Sequence, residues 1–355
     1  MKIKLALLEK DRNYLNRIVS VFNTKYSDKF EIYSFSDLDM ALETIENIKI
    51  DVFVVDEVFD IDLSKLPKRC GMAYFVDSAD IDTFKEKRAI CKFQKIDLIY
   101  KQIISVYSEN AGSISEFKLE NGNCNVICFS SPCGGCGNST MAVATAVHFA
   151  SQGKKTLYLN LEKFGSSDVF FKADGQFDMS DIIFALKSKN TNLSLKLESS
   201  VKLDNRGVYF YSQSKIALDM LELNMADIIR LISEIKLSSL YEYVVVDLDF
   251  SITTEYIKLY KQMNSIVMVS DGSETANSKL LRAYNAILTL EMNEDTNLIN
   301  KLNLIYNKFS NKTSKSIEDT EIKTLGGAPR YEHALCDQIV AQLATMSIFD
   351  KLSQQ

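Results

Sequence analysis

Short apolar runs alternate with polar and amphipathic stretches along residues 1–108. The run DVFVVDE is continuously apolar between its acids, which is typical of a parallel strand buried on both faces of its sheet. LDMALETIENI instead places its apolar residues at helical spacing. The alternation predicts five βα units, about the size of a flavodoxin-like domain. The predicted strands are KIKLALL, KFEIYSF, DVFVVDE, MAYFVDS and AICKFQK.

A second series of apolar runs follows a polar stretch rich in Gly, Ser and Asn, residues 109–122. We interpret this stretch as a linker and residues 123–355 as a second α/β domain. Strands joined by helices in this way are expected to form a parallel, doubly wound sheet. The predicted strands are NVICFSS, TLYLNLE, GVYFYS, YEYVVVDLD, SIVMVSD and LNLIYNK.

Composition and charge indicate an ordinary globular protein and argue against some functional classes. Hydrophobic residues make up 46% and charged residues 25% of the 355 residues, which is ordinary for globular proteins. The net charge of -6 argues against a broad DNA-binding surface. Seven scattered cysteines, with no secretory leader pattern and no long apolar run, predict a cytoplasmic protein without a transmembrane helix.

A glycine-rich turn, PCGGCGN, lies between the predicted strand NVICFSS and the helical segment STMAVATAVHFASQG. Strand, glycine turn and helix in this order are the context of a phosphate-binding loop. In such a loop the backbone N–H groups point inward, and the helix N-terminus adds positive potential. Gly134, Gly135 and Gly137 permit that backbone, and Ser139 is placed to offer its hydroxyl to Mg²⁺.

The same stretch permits a metal or redox interpretation. Four cysteines fall within 13 residues, which suggests a Cys₄ zinc site, and CGGC has the spacing of a thioredoxin-like CxxC at a helix start. Zinc needs every sulfur at about 2.3 Å. Cys124 and Cys128 lie about 13 Å apart along a predicted strand, so the chain does not easily deliver all four thiols to one point.

The loop resembles the deviant Walker A loop of the MinD/ParA ATPases, K-G-G-x-G-K-S/T-T. Cys133 and Asn138 stand where that motif has its two lysines, and the remaining positions match. In the family the second lysine contacts the β- and γ-phosphates, and the first reaches the ATP of a dimer partner. The resemblance implies that ATP is bound by Cys133, Gly134, Gly135, Cys136, Gly137, Asn138, Ser139 and Thr140.

Four later segments resemble landmarks of the same family. Glu162 replaces the acid that positions the attacking water, and Asp247 ends a Walker B-like strand that would hold Mg²⁺ together with Ser139. Asn307 matches the asparagine that contacts adenine, and Pro329 matches the proline beside the base. The alternative interpretations are ordinary strand-end acids for Glu162 and Asp247 and a turn residue for Asn307.

Residues 1–108 resemble response-regulator receivers with a degraded site. Glu9 matches one acid of the Mg²⁺ pair, but Lys10 stands at the other acid position. Asp56 matches the phosphoacceptor, Lys95 matches the switch lysine, and Ser78 supplies the hydroxyl only if the register shifts by one. A lysine in the metal pair would repel Mg²⁺ and could pair with Asp56 instead, so we expect a pseudo-receiver.

A receiver-like domain followed by a MinD/ParA-like domain with an eroded loop resembles the TadZ/CpaE proteins of Tad (Flp) pilus assembly. This resemblance implies a cytoplasmic localisation factor that forms homodimers, binds ATP and Mg²⁺, and recruits the secretion ATPase and inner-membrane platform proteins to a cell pole. The C-terminal stretch DQIVAQLATMSIFDKLSQQ is expected to pack on the core, so membrane contact would be indirect. A ParA-like partition ATPase acting on DNA or other cargo is the alternative, although we expect no specific nucleic-acid binding.

The missing lysines affect binding and hydrolysis differently. Backbone N–H groups and Mg²⁺ supply most of the grip on phosphates, and losing one charge-assisted contact costs about 1.5–3 kcal/mol. Hydrolysis loses more, because cations at the γ-phosphoryl group can be worth about 10³–10⁵ in rate. We therefore expect ATP binding with slow or negligible turnover.

Overall fold

The computed structural model of the chain describes residues 2–67, 69–110, 124–188, 191–293, 297–318 and 320–353. These residues divide into two compact units. The first comprises the residues up to 110 together with a later segment, Phe184–Ser200, and the second comprises the rest. The predicted linker, residues 109–122, lies outside the described residues except for its first two positions.

The first unit is built on a sheet with strand order β2-β1-β3-β4-β6-β5, in which only β5 runs antiparallel to its neighbour. The five parallel strands, in the order β2-β1-β3-β4-β6, have the strand order of flavodoxin-like folds. The elements are β1 (Ile3–Leu8), α1 (Arg12–Lys25), β2 (Phe30–Phe35), α2 (Leu38–Asn47), β3 (Val52–Asp56), β4 (Gly71–Val76), β5 (Thr83–Phe84), β6 (Lys87–Cys91) and α3 (Ile96–Asn110).

Two of the five predicted βα units lack an α-helix in the described residues. Between β3 and β4 the chain forms only a 3-10 turn, Leu63–Lys65, before Pro67. Between β4 and β6 it forms a hairpin, because Lys85 and Glu86 both have positive φ, 47° and 62°. Two consecutive positive-φ residues make the tight turn that joins antiparallel strands, so β5 replaces a crossover helix here.

Side chains of the central strands alternate between two apolar layers. Leu5 and Val54 belong to one buried cluster, and Leu8 and Val55 belong to another. Successive residues of a strand point to opposite faces, so strands buried on both faces need the continuous apolar runs seen in the sequence. The polar residue at the end of such a run is thereby held at the carboxyl edge of the sheet.

The segment Phe184–Ser200 contains a short helix that packs on α3 within the first unit. Lys196 is almost fully buried and its Nζ donates to Ser105 Oγ at 2.8 Å. Glu198 accepts from Tyr100 Oη at 2.7 Å and pairs with Lys29 at 3.0 Å. The first unit thus includes a helix that follows the first two strands of the second sheet in sequence.

The second unit is built on an eight-stranded sheet of order β14-β13-β12-β7-β11-β8-β10-β9, which is parallel except for β9. The strands are β7 (Asn125–Phe129), β8 (Thr156–Asn160), β9 (Lys202–Leu203), β10 (Val208–Phe210), β11 (Tyr243–Asp247), β12 (Ser265–Ser270), β13 (Leu302–Phe309) and β14 (Lys323–Pro329). The helices of the second unit are α4 (Asn138–Ser151), α5 (Ser167–Phe170), α8 (Ala217–Leu221), α9 (Met225–Leu237), α10 (Thr254–Lys261), α11 (Glu274–Asn293) and α12 (Cys336–Leu343). Helix α6 (Met179–Lys187) spans the division between the units at Phe184, and α7 (Leu193–Ser200) is the short helix of the first unit.

Helix α4 is central to the second unit, because nine consecutive residues, 141–149, are buried. Helix α12 packs against it through the C-terminal region, with Val340 and Leu343 buried. His148 fixes this arrangement with hydrogen bonds to Ala344 O and Asp350 Oδ1. The C-terminal stretch therefore packs on the core, as predicted. No helix in the described part of the chain has the length and apolar character that a membrane span requires.

Candidate functional site

The glycine-rich loop joins the end of β7 to the first residue of α4. Gly135 and Gly137 have φ angles of 76° and 87°, which side-chain-bearing residues rarely adopt. A Cβ on Gly137 would lie 2.4 Å from Asn307 Nδ2, whereas a Cβ on Gly134 would meet no atom within 4 Å. Gly137 is therefore required both by backbone conformation and by close approach.

The loop lies beside the carboxyl ends of three parallel strands. Asp247 at the end of β11 is in register with Phe129 of β7 on one side and with Asn160 of β8 on the other. In open α/β sheets, ligands bind at this edge. The register explains why residues from three distant sequence segments meet at the helix N-terminus.

Asp247 is the centre of a buried hydrogen-bond network. Its Oδ1 accepts from Asn138 Nδ2 at 2.9 Å, and its Oδ2 accepts from Tyr158 Oη at 2.8 Å. Asn160 Nδ2 reaches the same carboxylate at 3.4 Å. Asn138 also donates to Phe129 O at 3.2 Å, so its amide points towards the strand ends. The residue at the second lysine position thus helps to anchor the acid.

Ser139 and Glu162 complete this cluster. Ser139 Oγ donates to Glu162 Oε2 at 3.3 Å, and Asn160 Nδ2 donates to the same oxygen at 3.1 Å. Burial, followed by the charge of Glu162, raises the pKa of Asp247 to about 7, and burial also raises the pKa of Glu162. Two carboxylates with raised pKa values beside a hydroxyl form a donor set of the oxygen type that Mg²⁺ prefers.

The raised pKa of Asp247 predicts that Asp247→Asn increases the free energy of unfolding by an amount that depends on pH. A carboxyl group with an ordinary pKa of 3.8 that titrates near 7 when folded destabilises the protein as the pH rises through that interval. We expect the variant's advantage in unfolding free energy to be larger at pH 8 than at pH 5, by about 1–3 kcal/mol. Thermal unfolding at both pH values measures this, with exposed Asp337→Asn as the control. An equal effect at both pH values would contradict the prediction.

A second feature of the site is a cavity of about 350 Å³ beside the loop. It brings together Thr140, Asn307 and Pro329, which the sequence analysis assigned to nucleotide binding. Asn307 is nearly buried, and its Nδ2 donates to Cys136 O at 2.8 Å, so the asparagine also ties β13 to the loop. Pro329 ends β14, a strand that the apolar pattern did not indicate. The cavity is also lined by Lys308, Arg330, Tyr331 and Ile339.

The cysteines of the loop are free thiols packed under it. Cys133 Sγ donates to Ala276 O at 3.2 Å, and both Cys133 and Cys136 are buried. The adjacent Cys133 side chain lowers the pKa of the Cys136 thiol to about 7. Among the residues that the structure describes, no group of three or more His, Cys, Asp or Glu side chains could hold a metal ion. The cysteine geometry therefore provides no Cys₄ zinc site there.

The first unit has its own acidic cluster at the carboxyl edge of its sheet. Lys92 Nζ lies 2.8 Å from Asp77, 3.6 Å from Asp56 and 3.7 Å from Glu9. Burial and a hydrogen bond with Asp56 raise the pKa of Glu9 to about 7. One ammonium group thus lies among three carboxylates, where a receiver would bind a divalent cation.

This geometry changes three assignments made from the sequence. The lysine at the carboxylates is Lys92, the first residue after β6, whereas Lys95 precedes α3 and its carbonyl accepts from the first turn of that helix. Lys10 is exposed, and only its backbone N–H contacts Asp56, so the Lys10–Asp56 ion pair is not formed. The position after β4 is occupied by Asp77 rather than by a hydroxyl residue.

We expect acetyl phosphate with Mg²⁺ to leave Asp56 unphosphorylated. The Lys92 ammonium lies where the metal would bind, and Asp77 adds negative charge where a receiver has a hydroxyl. Intact-mass measurement of the wild type and of Asp56→Asn gives the signal and its background. Mg²⁺-dependent addition of one phosphoryl group to the wild type alone would refute the pseudo-receiver interpretation.

Comparison with known proteins gives one family match and a set of similar structures. Residues 1–108 match the family of TadZ-like receiver domains. A ParA family ATPase from Chlorobium tepidum TLS has 19% identity and a TM-score of 0.51, covering 65% of this chain and 99% of that one. A chain of the MinC:MinD cell division protein complex of Aquifex aeolicus has 18% identity and a TM-score of 0.49, covering 65% of this chain and 95% of that one. No curated protein matches the chain.

The ParA family ATPase has the higher TM-score of the two, and the fold of the chain is compared with this structure. The share of this chain that it covers, 65%, is more than the first 108 residues can supply, so the likeness includes the second sheet. Both findings agree with the resemblance to the TadZ/CpaE proteins. The chain therefore combines a TadZ-like receiver domain at residues 1–108 with a second domain whose fold is similar to that of a ParA family ATPase.

Proposed function

We propose that the second domain binds ATP with Mg²⁺ and that the chain is a nucleotide-stabilised scaffold of Tad pilus assembly. The observation that carries this proposal is the cavity of about 350 Å³ between the glycine-rich loop and the end of β14. Its volume is within the range of small-molecule sites. It is contiguous with the loop through Thr140 and through the Asn307–Cys136 hydrogen bond.

Each part of the site has a distinct role in this proposal. The loop N–H groups and the N-terminus of α4 hold the phosphates. The cavity takes the base beside Asn307 and Pro329. Ser139 and Asp247 would hold the metal, which would supply positive charge beside the carboxylates of Asp247 and Glu162. Glu162 orients a water molecule next to Ser139.

The biological role rests on the TadZ-like receiver domain together with the eroded loop. A protein that holds ATP without hydrolysing it suits a stable marker better than a cycling motor. We propose that it acts as a homodimer in the cytoplasm and concentrates at a cell pole. There it recruits the pilus secretion ATPase and the inner-membrane platform proteins, and it contacts the membrane through these partners.

Calorimetric titration with ATP and Mg²⁺ tests the proposal directly. We expect saturable binding to the wild type and at least about tenfold weaker binding to Asn307→Ala, because a buried amide that orders the loop is removed. Exposed Asn311→Ala is the matched control and should bind as the wild type does. The proposal fails if the wild type shows no binding or if both variants bind equally well.

A ParA-like partition ATPase is the second candidate, because the second domain is similar in fold to a ParA family ATPase. That function requires nonspecific DNA binding, whose affinity falls steeply with salt concentration. The net charge of -6 opposes it. An ATP-dependent and salt-sensitive shift of duplex DNA would favour this candidate over the pilus scaffold.

A further inference from the structure

The glycine-rich loop contains no positive charge of its own. Its residues from Pro132 to Thr140 include neither lysine nor arginine. The polar side chain at the second lysine position, Asn138, is held by Asp247 and by Phe129 O. A phosphate bound in this loop therefore needs a cation from another part of the chain if it is to make a charge-assisted contact.

Strand β13 brings a lysine to the loop. Lys308 Nζ donates to Gly135 O at 2.8 Å, and the neighbouring Asn307 donates to Cys136 O at 2.8 Å. Consecutive residues of a regular strand point to opposite faces, so these two side chains could not both reach the loop from an ideal strand.

An irregularity in β13 makes this double contact possible. Tyr306 pairs with Gly327 of β14, and Phe309 pairs with Pro329. Two residues of β13 therefore lie opposite one residue of β14 at this point. Within this irregularity, Lys308 has a φ of 56°. A side-chain-bearing residue in the left-handed region costs free energy, and such strain is concentrated at functional sites. The extra residue therefore re-aims Lys308 towards the loop.

The surroundings of Lys308 leave its charge available to an anion. It is only partly buried and lines the cavity together with Arg330, and none of the described lining residues is acidic. No carboxylate in the described ranges lies within ion-pair distance of its ammonium group. An ammonium group has three donors, and the bond to Gly135 O uses one of them.

We propose that Lys308 supplies the cation that contacts the phosphates of a bound nucleotide, in place of the two lysines that the loop has lost. This inference rests on the proposed nucleotide site. It identifies the ligand class more closely, as a nucleoside di- or triphosphate rather than a free nucleoside, because the ammonium lies at the loop end of the cavity. The bulge and the positive φ of Lys308 are the structural means by which this contact is made.

The test compares the wild type with Lys308→Met, Lys308→Gly and Lys308→Arg, and uses exposed Lys312→Met as the control. Glycine adopts positive φ readily, so loss of affinity in Lys308→Gly reports the missing ammonium rather than a disturbed backbone. Each protein is titrated with adenosine, ADP and ATP in the presence of Mg²⁺. A thermal unfolding scan of each variant verifies folding.

We expect Lys308→Met and Lys308→Gly to bind ATP about 10–100-fold more weakly than the wild type, as the loss of a charge-assisted contact predicts. Lys308→Arg and Lys312→Met should remain within about threefold of the wild type, and adenosine binding should be unchanged in every variant. If Lys308→Met and Lys308→Gly bind ATP as tightly as the wild type does, the proposed role of Lys308 is wrong, while the proposed nucleotide site still stands. A loss that is as large for adenosine as for ATP would also overturn that role, and a wild type that binds no nucleotide would overturn the proposed function as well.

Discussion

Purified protein supplied with ATP and Mg²⁺ is expected to hydrolyse less than about one ATP per minute. The transition state of phosphoryl transfer gathers charge on the γ-phosphoryl oxygens, and cationic groups there can be worth about 10³–10⁵ in rate. The loop has Cys133 and Asn138 at its two lysine positions, and the Asn138 amide is engaged by Asp247. Binding is affected less, because backbone N–H groups carry most of it.

Phosphate release from radiolabelled ATP measures this rate at the required sensitivity. Glu162→Gln and Asp247→Asn, prepared in parallel, reveal how much of any residual activity comes from contaminating ATPases. A turnover well above one per minute that both variants abolish would refute the expectation. It would mean that a cation elsewhere in the chain replaces the lysines in hydrolysis as well as in binding.

Alanine substitution at the three loop glycines is expected to give a graded loss of stability. Gly134 has no positive φ and open space around its Cβ position, so Gly134→Ala should change the unfolding free energy by less than about 1 kcal/mol. Gly135 has a φ of 76° in open space, so Gly135→Ala should cost about 1–2 kcal/mol in backbone strain alone. Gly137→Ala adds a 2.4 Å clash with Asn307 Nδ2 and should cost about 2–4 kcal/mol.

Nucleotide titration of the same three variants separates stability from function. Gly137→Ala displaces the Asn307 amide from Cys136 O and should abolish ATP binding, whereas Gly134→Ala should preserve it. Thermal unfolding and calorimetry on each variant provide the two readouts. The interpretation of the loop as a nucleotide site fails if Gly137→Ala binds ATP as tightly as Gly134→Ala does.

The two acidic clusters of this chain differ in where their positive charge comes from. In the first unit, Lys92 lies within 3.7 Å of Glu9, Asp56 and Asp77, so one internal ammonium compensates part of the charge of the three carboxylates. In the second, no lysine or arginine of the described residues pairs with Asp247 or Glu162, and burial raises the pKa of both. The first cluster therefore contains a cation of its own, whereas the second would gain one only from a bound metal.

Much of the fold follows from local patterns in the sequence. The apolar runs that end in Asp56 and Asp247 predicted buried parallel strands, and the structure has these strands at the centre of the two sheets. The predicted α/β class, with a flavodoxin-like and a doubly wound sheet, is confirmed. In the described residues of the first unit two crossover helices are missing: a 3-10 turn at Leu63–Lys65 stands between β3 and β4, and a hairpin at Lys85 and Glu86 between β4 and β6. The hairpin depends on backbone angles that apolar periodicity does not encode.

The site was only partly accessible from the sequence. Thr140, Asn307 and Pro329 were assigned by resemblance, and the structure brings them to one cavity. Lys308 was missed, although it directly follows Asn307, because a regular strand would point it away from the loop. The only signal for it lies in the pairing shift of β13 and in its positive φ, and both are properties of the folded backbone.

The sequence by itself determined that there are two α/β sheets, that a glycine-rich loop begins a helix, and that this loop carries no lysine. These are properties of consecutive residues, and side-chain periodicity and conformational preference express them directly. Only the tertiary structure decided which charges meet. Lys92 approaches Asp56, Asn138 turns to Asp247, and Lys308 reaches Gly135 across 173 residues. Such pairings depend on strand order, register and one bulge, which no local pattern contains.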